Sequence, residues 1–173
     1  MRIGAHRQRS PVDVDEFAAL YRRHIDEVYG FMDYHARNHF EAEDLTADAF
    51  ERALRYFHSF DPTKGEFRTW LFVIAANVVR HHQRSRSTGS ADVPIDAALE
   101  MRTSLEPNGL GVEERADLRE ALAGLSDREY RAIGLRFGGG LTNREIARVT
   151  GISESNVGTI LHRSLTRIAR VLR

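Results

Sequence analysis

Residues 141–165 read LTNREIARVTGISESNVGTILHRSL. Two short helical patterns flank a single glycine, Gly151. Thr142 and Ser153 each stand just before one of them, where a hydroxyl accepts the N–H groups that a helix start leaves bare. Ala147 is small enough for the first helix to lie close on the second. Gly151, four residues later, supplies the positive φ of a sharp turn. Val157 plugs the angle between the helices, and Leu141, Ile146, Ile152 and Leu161 complete a small core. This spacing predicts a helix-turn-helix. A hairpin that merely packs would share those inner residues, so the outer ones must separate the two readings.

The outer positions favour DNA. The second helix presents Asn156, Thr159, His162, Arg163 and Arg167 away from the apolar set. A recognition helix enters the major groove with its N-terminal half. Asn156 has the amide edge that pairs with adenine, and Arg163 the fork that suits guanine or phosphate. Arg167 and Arg170 come later, toward the DNA backbone or solvent.

Outward from this motif the chain stays helical. Ser126 followed by Glu129 has the spacing of a capping box. The helix it opens runs to Phe137, where Gly138, Gly139 and Gly140 stop it. Residues 113–173 thus form one unit of four short helices. Residues 88–112 hold Pro, Gly, Ser and acids with little periodicity and read as a flexible linker. Residues 13–87 form a second helical unit. Its apolar residues recur at three- and four-residue steps over 15–37, 43–60 and 67–84. The expected fold is therefore all-α, with two small helical domains and a helix-turn-helix in the second.

Charge is uneven along the chain, although the formal net charge is zero. Residues 13–60 hold eleven acids and five bases, whereas 61–87 hold two acids and five bases, and 141–173 two acids and six bases. Two basic segments separated by acidic ones suit a protein that meets polyanion in two places. There are no cysteines, which excludes disulfides and thiolate metal sites and points to the cytoplasm. No apolar run is long enough to cross a membrane. His35 and His39, and the adjacent His81 and His82, lack a third ligand at defined spacing. No nucleophile motif or phosphate loop is visible. An enzyme, a metal site and a cofactor are not expected.

The first unit has its own chemistry. Residues 57–80 gather Phe57, Phe60, Phe67 and Trp70 with Asn77, Lys64 and Arg80. An unstacked base needs an aromatic wall, an amide hydrogen-bonder and nearby cations. Residue by residue, Phe67, Trp70 and Leu71 also fit plain packing. A stand-alone helix-turn-helix regulator would instead carry a sensing pocket in this half.

Two blocks resemble a known family. LSDREYRAIGLRFGGGLTNREIARVTGISESNVGTILHRSLTRI, from Leu125, resembles region 4 of the extracytoplasmic-function sigma factors of bacteria. AEDLTADAFERALRYFHSFDPTKGEFRTWLFVIAANVV, from Ala42, resembles their region 2. The likeness covers about residues 15–86 and 113–172, in the family's order. It implies that Asp44, Leu45, Thr46, Asp48, Phe50 and Arg55 grip core RNA polymerase. It implies that residues 61–66 and the following helix melt and read the minus-10 element, with Asn77 at a flipped base and Lys64, Arg68 and Arg80 along phosphates. Asn156, Thr159, His162 and Arg163 would read the minus-35 duplex, roughly 17 base pairs or about 58 Å away. Promoter DNA, core polymerase and an anti-sigma factor are the implied partners. Ala76, His81, Gly158 and Ile160 depart from the family pattern and bear on the DNA sequence read.

Overall fold

The computed structural model describes residues 14–88 and 112–172. Among them every regular element is helical and no strand forms. The first unit opens with α1, Val14–His35, which buries Phe17, Val28, Phe31 and Met32 along one face. Asn38 then caps α2, His39–Tyr56, its side chain accepting from the Glu41 N–H at 3.0 Å. Apolar spacing alone places this start at Glu43; the asparagine cap moves it four residues earlier. The predicted end at Phe60 also moves, because the chain tightens into a 3-10 turn at Phe57–Ser59. The Asp61 carboxylate accepts from the Thr63 N–H at 3.0 Å and from its hydroxyl at 2.7 Å, which holds the connection to α3, Phe67–Thr88.

The second unit begins with α4, Val112–Ala123. Residues 88 and 112, assigned above to the linker, are therefore helical ends. The remainder of the predicted linker lies outside the described residues. Ser126 and Glu129 form the capping box of α5, Asp127–Ile133. That helix does not run straight to Phe137. It widens into a π turn over Gly134–Gly138, and the N–H of Gly139 closes on the Gly134 carbonyl at 3.0 Å. Thr142 and Glu145 make a second capping box at α6, Asn143–Thr150. Gly151, with φ 74° and ψ 14°, turns the chain, and Ser153 caps α7, Glu154–Val171. The predicted helix-turn-helix is thus present, with Leu141, Ile146, Val157 and Leu161 buried at its centre.

The two units share one core. A continuous apolar cluster runs from Phe17 and Phe31 through Phe72 to Leu135, Leu141, Ile146 and Val157. α1 lies on the π turn and α3 lies on α6. The Tyr130 hydroxyl of α5 donates to the Tyr34 carbonyl of α1 at 2.6 Å. The sequence left the relative placement of the two units open; apolar surface from both is buried where they meet.

Candidate nucleic-acid and polymerase interface

The recognition helix α7 presents the face that its sequence predicts. Asn156, Thr159, His162 and Arg163 are all exposed, while Val157, Leu161 and Ser164 turn inward. The Ser153 hydroxyl accepts the Asn156 N–H at 3.3 Å, which squares off the helix start. Arg167 is different. Its guanidinium donates to the Gly124 carbonyl and lies 3.2 Å from a Glu129 carboxylate oxygen. It braces α7 against the α4–α5 turn.

Two of the departures from the family pattern lie inward. Gly158 is half-buried beside Asn143, and Ile160 packs on the core. They shape how α7 sits on α6 and leave the outward face intact. A Cβ on Gly158 would meet the Asn143 side-chain nitrogen at 3.6 Å, an ordinary contact. Gly158→Ala should therefore stabilise the protein by about 0.5–1 kcal/mol by removing a helical glycine. Denaturant unfolding checks this, and a loss of stability would show that the backbone there needs more room.

In the first unit the outer face of α3 carries Val73, Asn77, Arg80, His81 and Arg84, spaced at helical repeats and all exposed. Arg80 donates to the Asn77 side-chain oxygen at 3.0 Å, so the amide and the cation act as a pair. Ala76, another departure, is buried, whereas His81 stands on this open face. Lys64 is exposed at the tip of the preceding turn, 3.8 Å from Asp61. The aromatic wall is mostly core. Phe57 and Phe67 are buried, while half-buried Phe60 and Trp70 lie against them, 5.4 Å apart. A cleft of about 640 Å³ opens beside Phe60 and Lys64, and its far wall includes Arg148 of α6.

Arg68 departs furthest from expectation. Rather than lying open to phosphate, it is held between the two units. It donates to Glu27 of α1 at 2.9 Å, to Glu145 of α6, and to the carbonyls of Gly139 and Gly140 at 3.0 and 3.1 Å. Its guanidinium also lies over the Phe72 ring at 5.7 Å. Burial alone would raise the Glu27 and Glu145 carboxyls. Hydrogen bonds led by Arg68 outweigh burial and hold both below the usual range.

α2 separates into two faces. Leu45, Thr46 and Phe50 are buried, and the Thr46 hydroxyl donates to the Ala42 carbonyl at 2.7 Å. These three hold the helix rather than face a partner. The exposed strip holds Asp44, Ala47, Glu51, Leu54 and Arg55, with Phe40 at its start. Asp48 is half-buried and takes two bonds from Arg52 at 2.7 and 2.8 Å. Phe40 and Leu54 are exposed apolar residues of this helix that the sequence did not single out. Their helical spacing with Asp44 was the available signal.

The described residues include no group of three or more His, Asp or Glu placed to hold a metal ion. None of their helices is long and apolar enough to cross a membrane.

Residues 20–88 match Sigma-70 region 2, and residues 115–168 match Sigma-70, region 4. The ECF RNA polymerase sigma factor BldN of Streptomyces coelicolor is 34% identical over 163 residues, 92% of this chain. The match spans 61% of that protein's length. SigX of Bacillus subtilis, also an ECF sigma factor, is 31% identical over 160 residues, which cover 87% of this chain and 80% of SigX. Among solved structures, the sigma factor RpoE bound to the anti-sigma factor NepR, from Bartonella quintana, superposes with a TM-score of 0.70 at 22% identity. That match covers 92% of this chain and 98% of the other. CnrH, in complex with the cytosolic domain of CnrY, gives 0.65 at 23% identity over 93% and 90% of the two chains. The chain belongs to the sigma-70 family, among its extracytoplasmic-function sigma factors.

Proposed function

We propose that this protein binds core RNA polymerase and directs it to promoters. Region 2, residues 13–87, captures the minus-10 element as a single strand. Region 4, residues 113–173, reads the minus-35 element as duplex. The observation that carries this is the recognition helix: Asn156, Thr159, His162 and Arg163 stand exposed on α7, beside a turn fixed by Gly151 and Ser153. The Asn77–Arg80 pair on open α3 supports the single-strand half, since it joins an amide hydrogen-bonder to a cation. The exposed acidic strip of α2 supports docking to polymerase. An anti-sigma factor is the proposed regulator and the cytoplasm the proposed location. No catalytic role is assigned.

The test is run-off transcription with core polymerase and mapping of the starts. Transcription that starts at defined sites only when the chain is added supports the reading; DNA binding that never needs polymerase favours a stand-alone regulator. On the mapped promoter, Arg163→Ala should weaken duplex minus-35 binding by the holoenzyme by about 1–3 kcal/mol if it reads a base. A phosphate contact would instead weaken all sequences alike and flatten the salt dependence. Asn77→Ala should weaken binding to single-stranded minus-10 oligonucleotides and spare the duplex fragment. If either variant leaves its own DNA bound as before, that half of the assignment is wrong.

A further inference from the structure

We infer that Lys64 is an acyl-acceptor site: its amine takes an acyl group from an acyl phosphate seated in the neighbouring cleft, and the neutral amide that results weakens the capture of single-stranded DNA. The site stands on composition and geometry. Its consequence rests on the function proposed above.

The first observation is in the sequence. Lys64 is the only lysine, and the other 24 of the 25 Lys and Arg residues are arginine. Both side chains carry one positive charge. A guanidinium keeps its proton in proteins, whereas an ammonium releases one to leave a nucleophilic amine. Attraction to phosphate does not single out lysine here, because arginine serves at the other cationic positions of the proposed DNA faces, Arg80 and Arg163 among them. What Lys64 alone offers is the amine.

The second observation is how that amine is presented. The Asp61 carboxylate holds the N–H and the hydroxyl of Thr63, and the Lys64 N–H donates to the Asp61 carbonyl at 3.0 Å. The turn is thus fixed beneath Lys64. The side chain itself is 83% exposed, with Nζ 3.8 Å from Asp61. A surface pair that long contributes little and leaves the amine open to a donor.

The third observation is the cleft of about 640 Å³ that Lys64 helps to line. Cavities of about 300–1,000 Å³ suit small molecules. Arg23 of α1 and Arg148 of α6 share the lining, beside an apolar wall that includes Leu20 and Phe60. Both arginines are exposed, and neither has an ion-pair partner among the described residues. Glu16 and Glu66 also line the cleft, and Arg68 is taken up by Glu27 and Glu145. Arg23, Arg148 and Lys64 together still leave it cationic. A guanidinium fork suits the phosphate of the donor. Holding the donor there raises the local concentration of its acyl carbon around the amine.

The step balances without another reagent. The Lys64 ammonium gives one proton to water. The electron pair of the free amine attacks the carbonyl carbon, and a C–N bond forms. The C–O bond to phosphate breaks, and phosphate leaves with that electron pair and the proton that the nitrogen sheds. The product is a neutral amide, so the turn before α3 loses its cation.

The experiment treats the full chain with acetyl phosphate and locates the product by peptide mass spectrometry. Folded protein should acquire acetyl at Lys64 about tenfold faster than the same chain in urea. Arg23→Gln should remove most of that advantage, and inorganic phosphate should compete with the donor. An acetyl thioester without a phosphate should show no advantage for the folded chain. A Lys64 that reacts no faster folded than unfolded, or an equal advantage with the thioester, overturns the acyl-phosphate site. The consequence is read separately, on holoenzyme and single-stranded minus-10 oligonucleotides. Acetylation should weaken binding about fivefold near 0.1 M salt and make the salt slope shallower by about 0.7, the share of one phosphate contact. Lys64→Gln should bind as weakly as the acetylated chain. Lys64→Arg, compared with its own untreated value, should not respond to acetyl phosphate, which excludes a contribution from the α-amino group. Affinity unchanged by acetylation overturns the consequence. If untreated holoenzyme binds no minus-10 oligonucleotide, the proposed function fails and the consequence with it, while the mass spectra still decide the site.

Discussion

Lowering the pH from 6.5 toward 5 should cost this protein roughly 2 kcal/mol of stability, and His35 should be the cause. The imidazole is buried, with Phe31 and Tyr34 of its own helix on one side and Tyr130 and Gly134 of region 4 on the other. Neither ring nitrogen has a hydrogen-bond partner. Burial, aided by the charge of Arg131, lowers its pKa from 6.5 to about 3. Between those values the unfolded chain takes up a proton that the folded chain refuses. Stability is therefore complete above about pH 6.5 and falls with acid, at a slope approaching about 1.4 kcal/mol per pH unit. Glu27, Glu129 and Glu145 are held below their ordinary 4.5 and contribute a separate loss at lower pH. Urea unfolding at pH 7.5, 6.5, 5.8 and 5.0 reads the His35 limb before the carboxylates enter. His35→Leu, compared with its own value at pH 7.5, should be nearly flat over that range. A wild-type curve already flat there would show that the ring is protonated at no cost, and hence is not sealed between the regions.

His35 also marks where the sequence stops being legible. Its four-residue spacing from His39 raised the question of a metal, and helix periodicity did place it on α1. Nothing local said that region 4 would cover it. The same boundary runs through the glycines. Gly151 was readable because a turn between two capped helices needs positive φ whatever surrounds it. Gly134, Gly138 and Gly139 answer to backbone and side-chain atoms about a hundred or nearly seventy residues away, so the triple glycine read only as a helix stop. The capping box at Ser126 and the N-cap at Thr142 were legible for the same reason as Gly151: donor and acceptor lie within one turn. Arg68 was assigned to phosphate by the family resemblance. Its real neighbours, Glu27 and Glu145, are 41 and 77 positions distant. Local rules were enough for the elements and for the exposed face of α7. Pairing between regions joins residues too far apart in the chain for local rules to reach.

The two faces of α2 make the remaining large expectation, because one motif holds residues with opposite jobs. Phe50 is 4% exposed and meets the Tyr21 ring edge at 4.6 Å. Phe50→Ala should cost about 3–5 kcal/mol through lost burial and the cavity it leaves. That is a large part of the whole stability of an ordinary domain. Such a variant would lose polymerase binding only because it unfolds. Asp44 lies on the open face, and the Asp48–Arg52 pair is a surface pair worth about 1 kcal/mol at most. Asp44→Lys combined with Asp48→Lys should therefore keep the thermal midpoint near that of the parent. Core polymerase binding should nonetheless fall by roughly tenfold or more, and most at low salt, where charge steering is unscreened. Phe40 and Leu54, 67% and 42% exposed on the same helix, give the acidic strip apolar contacts to bury. Leu54→Ser should thus weaken core binding while leaving the salt dependence unchanged. Melting curves paired with pull-downs of core polymerase separate the cases. If the double lysine variant binds core as tightly as the parent, the polymerase surface lies elsewhere than on the open face of α2.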